Sequence, residues 1–486
     1  MLFNSIEYLY IFLPLTFITY FTLNKYKLYN ISLIFLLLSS LYFYSTYNIK
    51  FTYIIILSTL LNYSINLLLN NKNLSKLKKP ILILGIILNI LILLFFKYFN
   101  ILIQSLKTNL HLPINSLEII IPLGISFFTI QQISFLIDSY NNKISKPNLI
   151  NYSLFISFFP QLLAGPIVRY KEIIPQLNNT KNKIINQQNI FKALFLITIG
   201  LLKKVLIADN FQDFITYTTT NSLYYDTTLS WLFAFSKVAQ GYFDFSGYCD
   251  IATGSALLFN IKLPQNFNSP FKATNITNYW KRWHMTLIRF LKDYILTPLG
   301  GIKTTTTKTF TNLMIVGFCY GIWLGINPCF IIYGLFNAAL IFIYQMWAKL
   351  KITFNKFFAS GLTFFAVLIT TPFVSQTNLG DSIALLKSMF IINHNSDIIF
   401  KIKDFAFYFR QPDVFIDTSV QANPLQIKLI LFLACIYLMF FSKNSFELSK
   451  IYVKKNNIFY TVILAVIMTI CTLSITRYQE FVYFNF

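Results

Sequence analysis

Between residues 240 and 301 the chain gathers its densest set of ionisable and aromatic side chains, QGYFDFSGYCDIATGSALLFNIKLPQNFNSPFKATNITNYWKRWHMTLIRFLKDYILTPLGG. Its centre is Trp280-Lys281-Arg282-Trp283-His284, and Asp244, Asp250, Arg289 and Asp293 fall beside the same apolar segments. Histidine titrates nearest neutral pH and is the usual side chain for proton transfer. The protein has 3 histidines, His111, His284 and His394, so acid–base chemistry has few places to reside. Lys281, Arg282, Arg289 and Lys292 suit the phosphates of an anionic donor, because ammonium and guanidinium groups pair them through charge-assisted hydrogen bonds. The same residue types also make an interfacial helix, with Trp at the headgroups and Lys and Arg reaching to water. Asp244, Ser246, Tyr248 and Asp250 form a second group. Carboxylates beside apolar segments need partners, and the expectation is that this group braces the site through hydrogen bonds to the basic cluster. Arg169, after the turn AGPIV, is expected to do similar work.

Helices in lipid must position these groups. Of 486 residues 56% are hydrophobic, 18% aromatic and 12% charged, with mean hydropathy +0.59. A soluble domain carries about 25% charged residues, so a soluble enzyme, a disordered chain and a disulfide scaffold are all excluded. Cys249, Cys319, Cys329, Cys435 and Cys471 show no CxxC or Cys/His ligand spacing, and neither a metal site nor a disulfide framework is expected. About twelve apolar runs approach the roughly 20 residues needed to span hydrocarbon. They lie near 6–24, 29–47, 50–70, 80–103, 118–138, 188–208, 229–247, 309–326, 329–348, 356–375, 426–442 and 457–476. Residues 151–168, with Pro160, Gly165 and Pro166, and residues 251–264 are too short or too broken to cross. Both read as re-entrant or interfacial, since irregular backbone is tolerated only against protein or a wet cavity. The first run has no basic segment before it and no small-residue cleavage site after it, and reads as a retained span.

Lys and Arg number 40 against 17 Asp and Glu, a net of +23. With the N-terminus outside, the inside loops receive Lys25 and Lys27, Lys72 to Lys79, Lys143 and Lys146, Arg169 to Lys183, the basic region 262–308, Lys349 and Lys351, and Lys443 to Lys455. The outside loop 209–228 keeps Asp209, Asp213 and Asp226 without a Lys or Arg. That asymmetry follows the positive-inside rule and sets a multi-pass orientation in a cell inner (cytoplasmic) membrane. Basic residues shared among loops do not form a nucleic-acid surface. Loop 376–425 sits outside, with Leu385, Leu386, Met389 and Phe390 patterned for an interfacial helix. No internal repeat is visible, which disfavours a transporter of inverted halves. The organisation expected is a single domain, 1–486, with its site region at about 118–348.

Several segments together resemble the membrane-bound O-acyltransferase (MBOAT) family, in the branch of the alginate O-acetylases. They are MLFNSIEYLYIFLPL, PLGISFFTIQQISFLIDSY at 122–140, FFPQLLAGPIVRYKEIIPQL at 158–177, FDFSGYCDIATGSALLFNIKLPQNFNSPF, NITNYWKRWHMTLIRFLKDYILTPLGG and LGDSIALLKSMF at 379–390. The resemblance implies an all-α polytopic fold of about 11–12 transmembrane helices, plus re-entrant and interfacial helices, around a central funnel. It implies an acyl group moved from a cytoplasmic thioester such as acetyl-CoA, a substrate rather than a bound cofactor, toward an acceptor on the other side. Two histidines usually line the funnel in this family. His284 matches one, in a WRRWH-like motif. The other belongs to a GLWHG-like motif, and here that segment reads Gly321-Ile322-Trp323-Leu324-Gly325. Leu324 stands where the family places its catalytic histidine, and Leu can neither accept nor donate a proton. The resemblance places Trp280, Arg282, Trp283, Asp293, Trp323, Asp244, Ser246, Tyr248, Asp250 and Arg169 around the funnel. His111 and His394 fall in outside loops and read as exposed. Two functions are compatible with this set. One is O-acetylation of a cell-envelope polysaccharide such as alginate or peptidoglycan, in concert with a periplasmic acetyltransferase. The other is a catalytically impaired scaffold for that partner.

Overall fold

The computed structural model describes residues 1–110, 119–144, 147–220, 226–325, 327–391, 424–455 and 458–475. Every regular element among them is helical. His111, His394 and most of loop 376–425 lie outside the described residues. Helices follow from the solvent, because in hydrocarbon a backbone must satisfy its own hydrogen bonds. Asparagine begins many of them. The side chains of Asn48, Asn148, Asn275, Asn327, Asn355 and Asn378 each accept a backbone N–H of the first turn, closing one of the donors every helix start leaves open.

The chain divides into two compact units, 1–193 with 252–264, and 194–251 with 265–486. The first contains α1 (Leu13–Lys25), α2 (Tyr29–Ser45), α3 (Ile49–Asn70), α4 (Lys78–Leu110), α5 (Ile125–Tyr140), α6 (Leu149–Ser157), α7 (Phe159–Leu162) and α8 (Tyr170–Asn178). Helix α9 (Gln187–Leu201) and α11 (Thr227–Leu258) give residues to both units, and α10 (Asp209–Thr220) belongs to the second. The second unit continues with α12 (Ile276–Trp280), α13 (Met285–Leu291), α14 (Thr306–Leu324), α15 (Pro328–Lys349), α16 (Lys356–Thr370), α17 (Pro372–Ser375), α18 (Leu379–Ser388), α19 (Pro424–Phe440), α20 (Ser445–Lys455) and α21 (Ile458–Leu473).

Helix α3 shows which way these helices are turned. Ser58, Thr59, Asn62 and Asn66 are buried, while Tyr53, Leu57, Leu60 and Leu67 are exposed. That is the reverse of a soluble amphipathic helix and suits lipid outside with polar contacts within. Asn62 and Asn89 exchange side-chain hydrogen bonds, Ser58 donates to Gln132 at 2.9 Å, and Ser139 donates to Asn66. Segments 49–70, 72–100 and 328–349 are long and apolar enough to cross a membrane.

Three sequence expectations change. The run at 118–138 becomes helical only at Ile125, because Gly124 sits at φ 74° in the left-handed region. Residues 251–258 are not a separate broken segment but the end of α11, 32 residues long; only 259–275 is irregular or in a short turn. In loop 376–425 the helix runs from Leu379 to Ser388, so Met389 and Phe390 follow it rather than lie within it. The break expected at 151–168 is present as the pair α6 and α7, parted at Phe158.

Candidate functional site

The second unit is organised by two close helix approaches. A Cβ built on Gly200 would lie 2.6 Å from the carbonyl oxygen of Gly247, inside any real contact distance. Gly200 and Gly247 therefore let the end of α9 lie against α11 backbone to backbone. A Cβ on Gly317 would likewise meet the carbonyl oxygen of Gly334 at 2.5 Å, which sets the α14–α15 hairpin. The first approach brings lysines to carboxylates. The second presents Trp323 and Leu324, at the end of α14, to the loop that carries His284.

The carboxylates find partners other than those expected. Asp250 pairs with Lys203 at 2.7 Å and accepts from Ser445 Oγ at 2.6 Å. Lys204 sits 2.9 Å from both Asp244 and Asp209. Among the described residues, Lys203 and Lys204, on the π-helical segment Leu202–Ala208 that continues α9, thus brace Asp250 and Asp244. The Gly200–Gly247 contact brings the two helices close enough for these side chains to meet, and Lys204 and Asp244 are buried. A pair of adjacent lysines inside an apolar run was the sequence signal for this, since such charges need partners. Ser246 and Tyr248 are buried on the same helix. Among the described residues the Ser246 hydroxyl has no hydrogen-bond partner. Arg169 belongs to the first unit, where it precedes α8 and its backbone N–H donates to Glu172 at 3.0 Å. Arg282 is held by Asn278, 2.7 Å from its Nε, and by the carbonyl of Asn268.

His284 is completely buried and adopts φ 44°, ψ 49°, where it caps α13. Non-glycine residues seldom occupy this left-handed region, and such outliers gather at functional sites. Its ring meets Phe245 edge-on at 4.7 Å and Trp323 at 5.5 Å. Its Nδ1 lies 3.2 Å from Asn266 Oδ1. The same oxygen accepts the backbone N–H of Thr286 at 3.2 Å and its hydroxyl at 2.9 Å. A backbone N–H can only donate, so the Asn266 atom is the oxygen, and Nδ1 must carry the proton. Nε2 is then the basic nitrogen. The residue lies between the apolar runs, and burial pushes its imidazole down to about 3, so the ring is neutral at physiological pH. Asn266 was not singled out from sequence, although it sits in the PQNFNSPF segment. Replacing Asn266 with Leu is expected to free the ring and lower any His284-dependent turnover about 10²-fold, measured as rate at saturating donor; unchanged turnover would remove the positioning role.

The aromatic set closes around this loop. Trp283 stacks on Tyr279 at 5.8 Å and meets Phe267 edge-on at 5.1 Å. Trp280 meets Tyr320 at 5.2 Å. Two cavities adjoin. One, about 480 Å³, has Trp280, Gly317, Tyr320 and Asn337 on its wall together with the exposed Lys281 and Lys292. The other, about 90 Å³, is bounded by Leu324, Trp283, Tyr279, Tyr333, Gln240 and Lys237. Leu324 is buried there, 2% exposed. Of the four basic residues expected to face an anionic donor, Lys281 and Lys292 meet at the larger cavity, whereas Arg282 is turned to Asn278 and Asn268. Asp293, half-buried, is the second residue of the π-helical segment Lys292–Leu296 that follows α13.

These helices, apolar on exposed faces and polar within, define an all-α protein of the membrane. Residues 11–371 match the family model described as MBOAT, membrane-bound O-acyltransferase family, and the chain belongs to that family, an O-acyltransferase by resemblance. The peptidoglycan O-acetyltransferase of Helicobacter pylori is 35% identical over 423 residues, covering 81% of this chain and 80% of that protein. The probable alginate O-acetylase AlgI of Azotobacter vinelandii is 35% identical over 272 residues, 54% of this chain and 53% of its own length. The teichoic acid D-alanyltransferase of Bacillus subtilis is 28% identical over 262 residues, 52% of this chain and 66% of its own length.

Proposed function

We propose that this protein transfers an acyl group, acetyl in the first instance, from a cytoplasmic thioester to a hydroxyl of a cell-envelope polysaccharide. The observation that carries the reading is His284, a buried, neutral imidazole whose Nδ1 is tied to Asn266, leaving Nε2 as base. As the acceptor oxygen bonds to the thioester carbonyl carbon, Nε2 takes the hydroxyl proton; as the carbon–sulfur bond breaks, the imidazolium returns that proton to the leaving thiolate. The larger cavity, about 480 Å³, is of the size that holds a small ligand, and Lys281 and Lys292 at its wall suit the phosphates of acetyl-CoA. With the N-terminus outside, these lysines face the cytoplasm, the side on which such a donor is made. Trp280 lies on the wall of that cavity, Trp283 borders the smaller one and Trp323 stands against His284, while Asp244 and Asp250 hold α11 in place.

Peptidoglycan is the favoured acceptor, because the similarity to the Helicobacter pylori enzyme extends over the greatest share of both chains among these relatives. A periplasmic acetyltransferase would take the acyl group onward if the acceptor is out of reach. Leu324 supports a second reading, a scaffold without turnover. The deciding assay gives the protein, reconstituted in liposomes, acetyl-CoA labelled in its acetyl group and O-deacetylated peptidoglycan outside. Label is expected on the glycan or in water above a protein-free blank. No turnover in the native protein, with turnover appearing in Leu324→His, would replace the enzyme reading with the scaffold.

A further inference from the structure

Asn337 lies near the middle of α15, a segment long and apolar enough to cross a membrane, and it is only 3% exposed. Its side chain is half used. Nδ2 donates to the carbonyl oxygen of Tyr333, one turn back in the same helix, at 2.9 Å. A carbonyl can only accept, so the nitrogen is the atom on that side. Among the described residues, Oδ1 of Asn337 has no hydrogen-bond partner. An asparagine that joins helices looks different. Asn62 and Asn89 each give their nitrogen to the other's oxygen, so both amides are satisfied between α3 and α4. Asn337 makes no such bridge. It stands on the wall of the cavity of about 480 Å³. Trp280, 5% exposed, is on that wall too, and its indole N–H has no partner among the described residues. Buried polar groups are nearly always hydrogen-bonded. An acceptor and a donor left open at one cavity call for a ligand that carries both kinds of group. The cavity extends along α15 from Gly334 to Gln345, about 16 Å of helix axis. Leu291, Leu313, Val316 and Ile341 make much of the rest of its wall apolar.

We propose that Asn337 binds the arm of the thioester donor, its Oδ1 accepting an amide N–H of that arm. This rests on the acyl-transfer reading above. It gives the cavity a ligand class: a linear, mostly aliphatic arm interrupted by secondary amides, as in the pantetheine unit of acetyl-CoA. The methylenes of such an arm lie against Leu291, Val316 and Ile341. An amide N–H meets Asn337, an amide carbonyl accepts from the Trp280 indole, and the phosphates stay with Lys281 and Lys292. A fatty chain of the bilayer would suit the apolar residues but would leave both open groups unpaired, so these groups favour the amide arm. No bond is made or broken at Asn337. Its part is to fix how far the arm enters, and hence where the thioester stops.

The test uses S-acetylpantetheine and two analogues, each with one of its amide N–H groups replaced by an ester oxygen. These donors carry no phosphate, which keeps Lys281 and Lys292 out of the comparison. Release of free thiol in liposomes gives kcat/KM for each. In the native protein one analogue is expected to be about tenfold poorer than S-acetylpantetheine, because it leaves a buried acceptor unpaired. In Asn337→Leu, similar in size but without an acceptor, that ratio is expected to fall to about one. All donors are compared on one preparation, so the ratio does not depend on how much of the protein folds. Asn337→Ala gives the same reading should Asn337→Leu yield no turnover. Equal kcat/KM for the three donors in the native protein, or an unchanged ratio in the variants, would overturn the proposal while leaving the acyl-transfer reading intact. No thiol release by the native protein from any donor, acetyl-CoA included, would remove that reading instead, and binding then decides. CoA is expected to raise the melting temperature of the native protein more than that of Asn337→Leu, and equal shifts would overturn the proposal.

Discussion

Replacing His284 with alanine is expected to lower acyl transfer by about 10²–10⁴-fold, the contribution typical of a positioned general base. The expectation rests on what the ring touches. Nδ1 is committed to Asn266, an oxygen already engaged by Thr286 through two further hydrogen bonds. Phe245 and Trp323 leave the imidazole one orientation. A base held this way acts without first ordering itself. Because burial keeps the ring neutral, the native rate is expected to show no His284 titration between about pH 5 and 8. His284→Gln, which keeps a polar side chain but cannot take a proton, should be as slow as His284→Ala. Label transfer from acetyl-CoA at saturating donor reads both. A His284→Gln protein with native turnover would make the residue a structural one.

The second large effect concerns stability. Lys204 is 4% exposed and bridges Asp244, 1% exposed, and Asp209, 19% exposed. Lys204→Met removes the cation and leaves two carboxylates facing each other in a poorly hydrated place. Breaking a buried pair in this way costs about 3–5 kcal/mol, enough to unfold a marginally stable protein. The yield of monodisperse protein in detergent is expected to collapse. The double variant Lys204→Met with Asp244→Asn should recover part of it, because one of the two stranded charges is gone. Equal yields for the single variant and the native protein would show that Asp209 and Asp244 do not depend on Lys204.

Much of the helical plan was legible because lipid imposes a simple rule. Backbone groups must bond within the helix, so long apolar runs are helices wherever they occur; 29–47, 50–70 and 329–348 match α2, α3 and α15 to within a few residues. The cluster Trp280–His284 stood out by residue type, whereas Trp323 and Leu324 were marked only by the family resemblance. Helix ends were less legible. Gly124 delays α5 through a backbone angle, and α11 runs past 247 because Asp250 has Lys203 to pair with, which hydropathy alone counts as a break.

What the sequence determined by itself, then, is the class of chain: apolar runs and their loops are properties of composition and period. Partnerships are different. Whether Asp244 meets Lys204 or Arg282 depends on Gly200 lying against Gly247, a contact between residues 47 positions apart (247 − 200). The tautomer of His284 depends on Asn266, 18 positions away. Each of these is a matter of a few ångströms between elements, set by which small residues let two backbones approach. No local pattern encodes that distance, and the tertiary structure decided it.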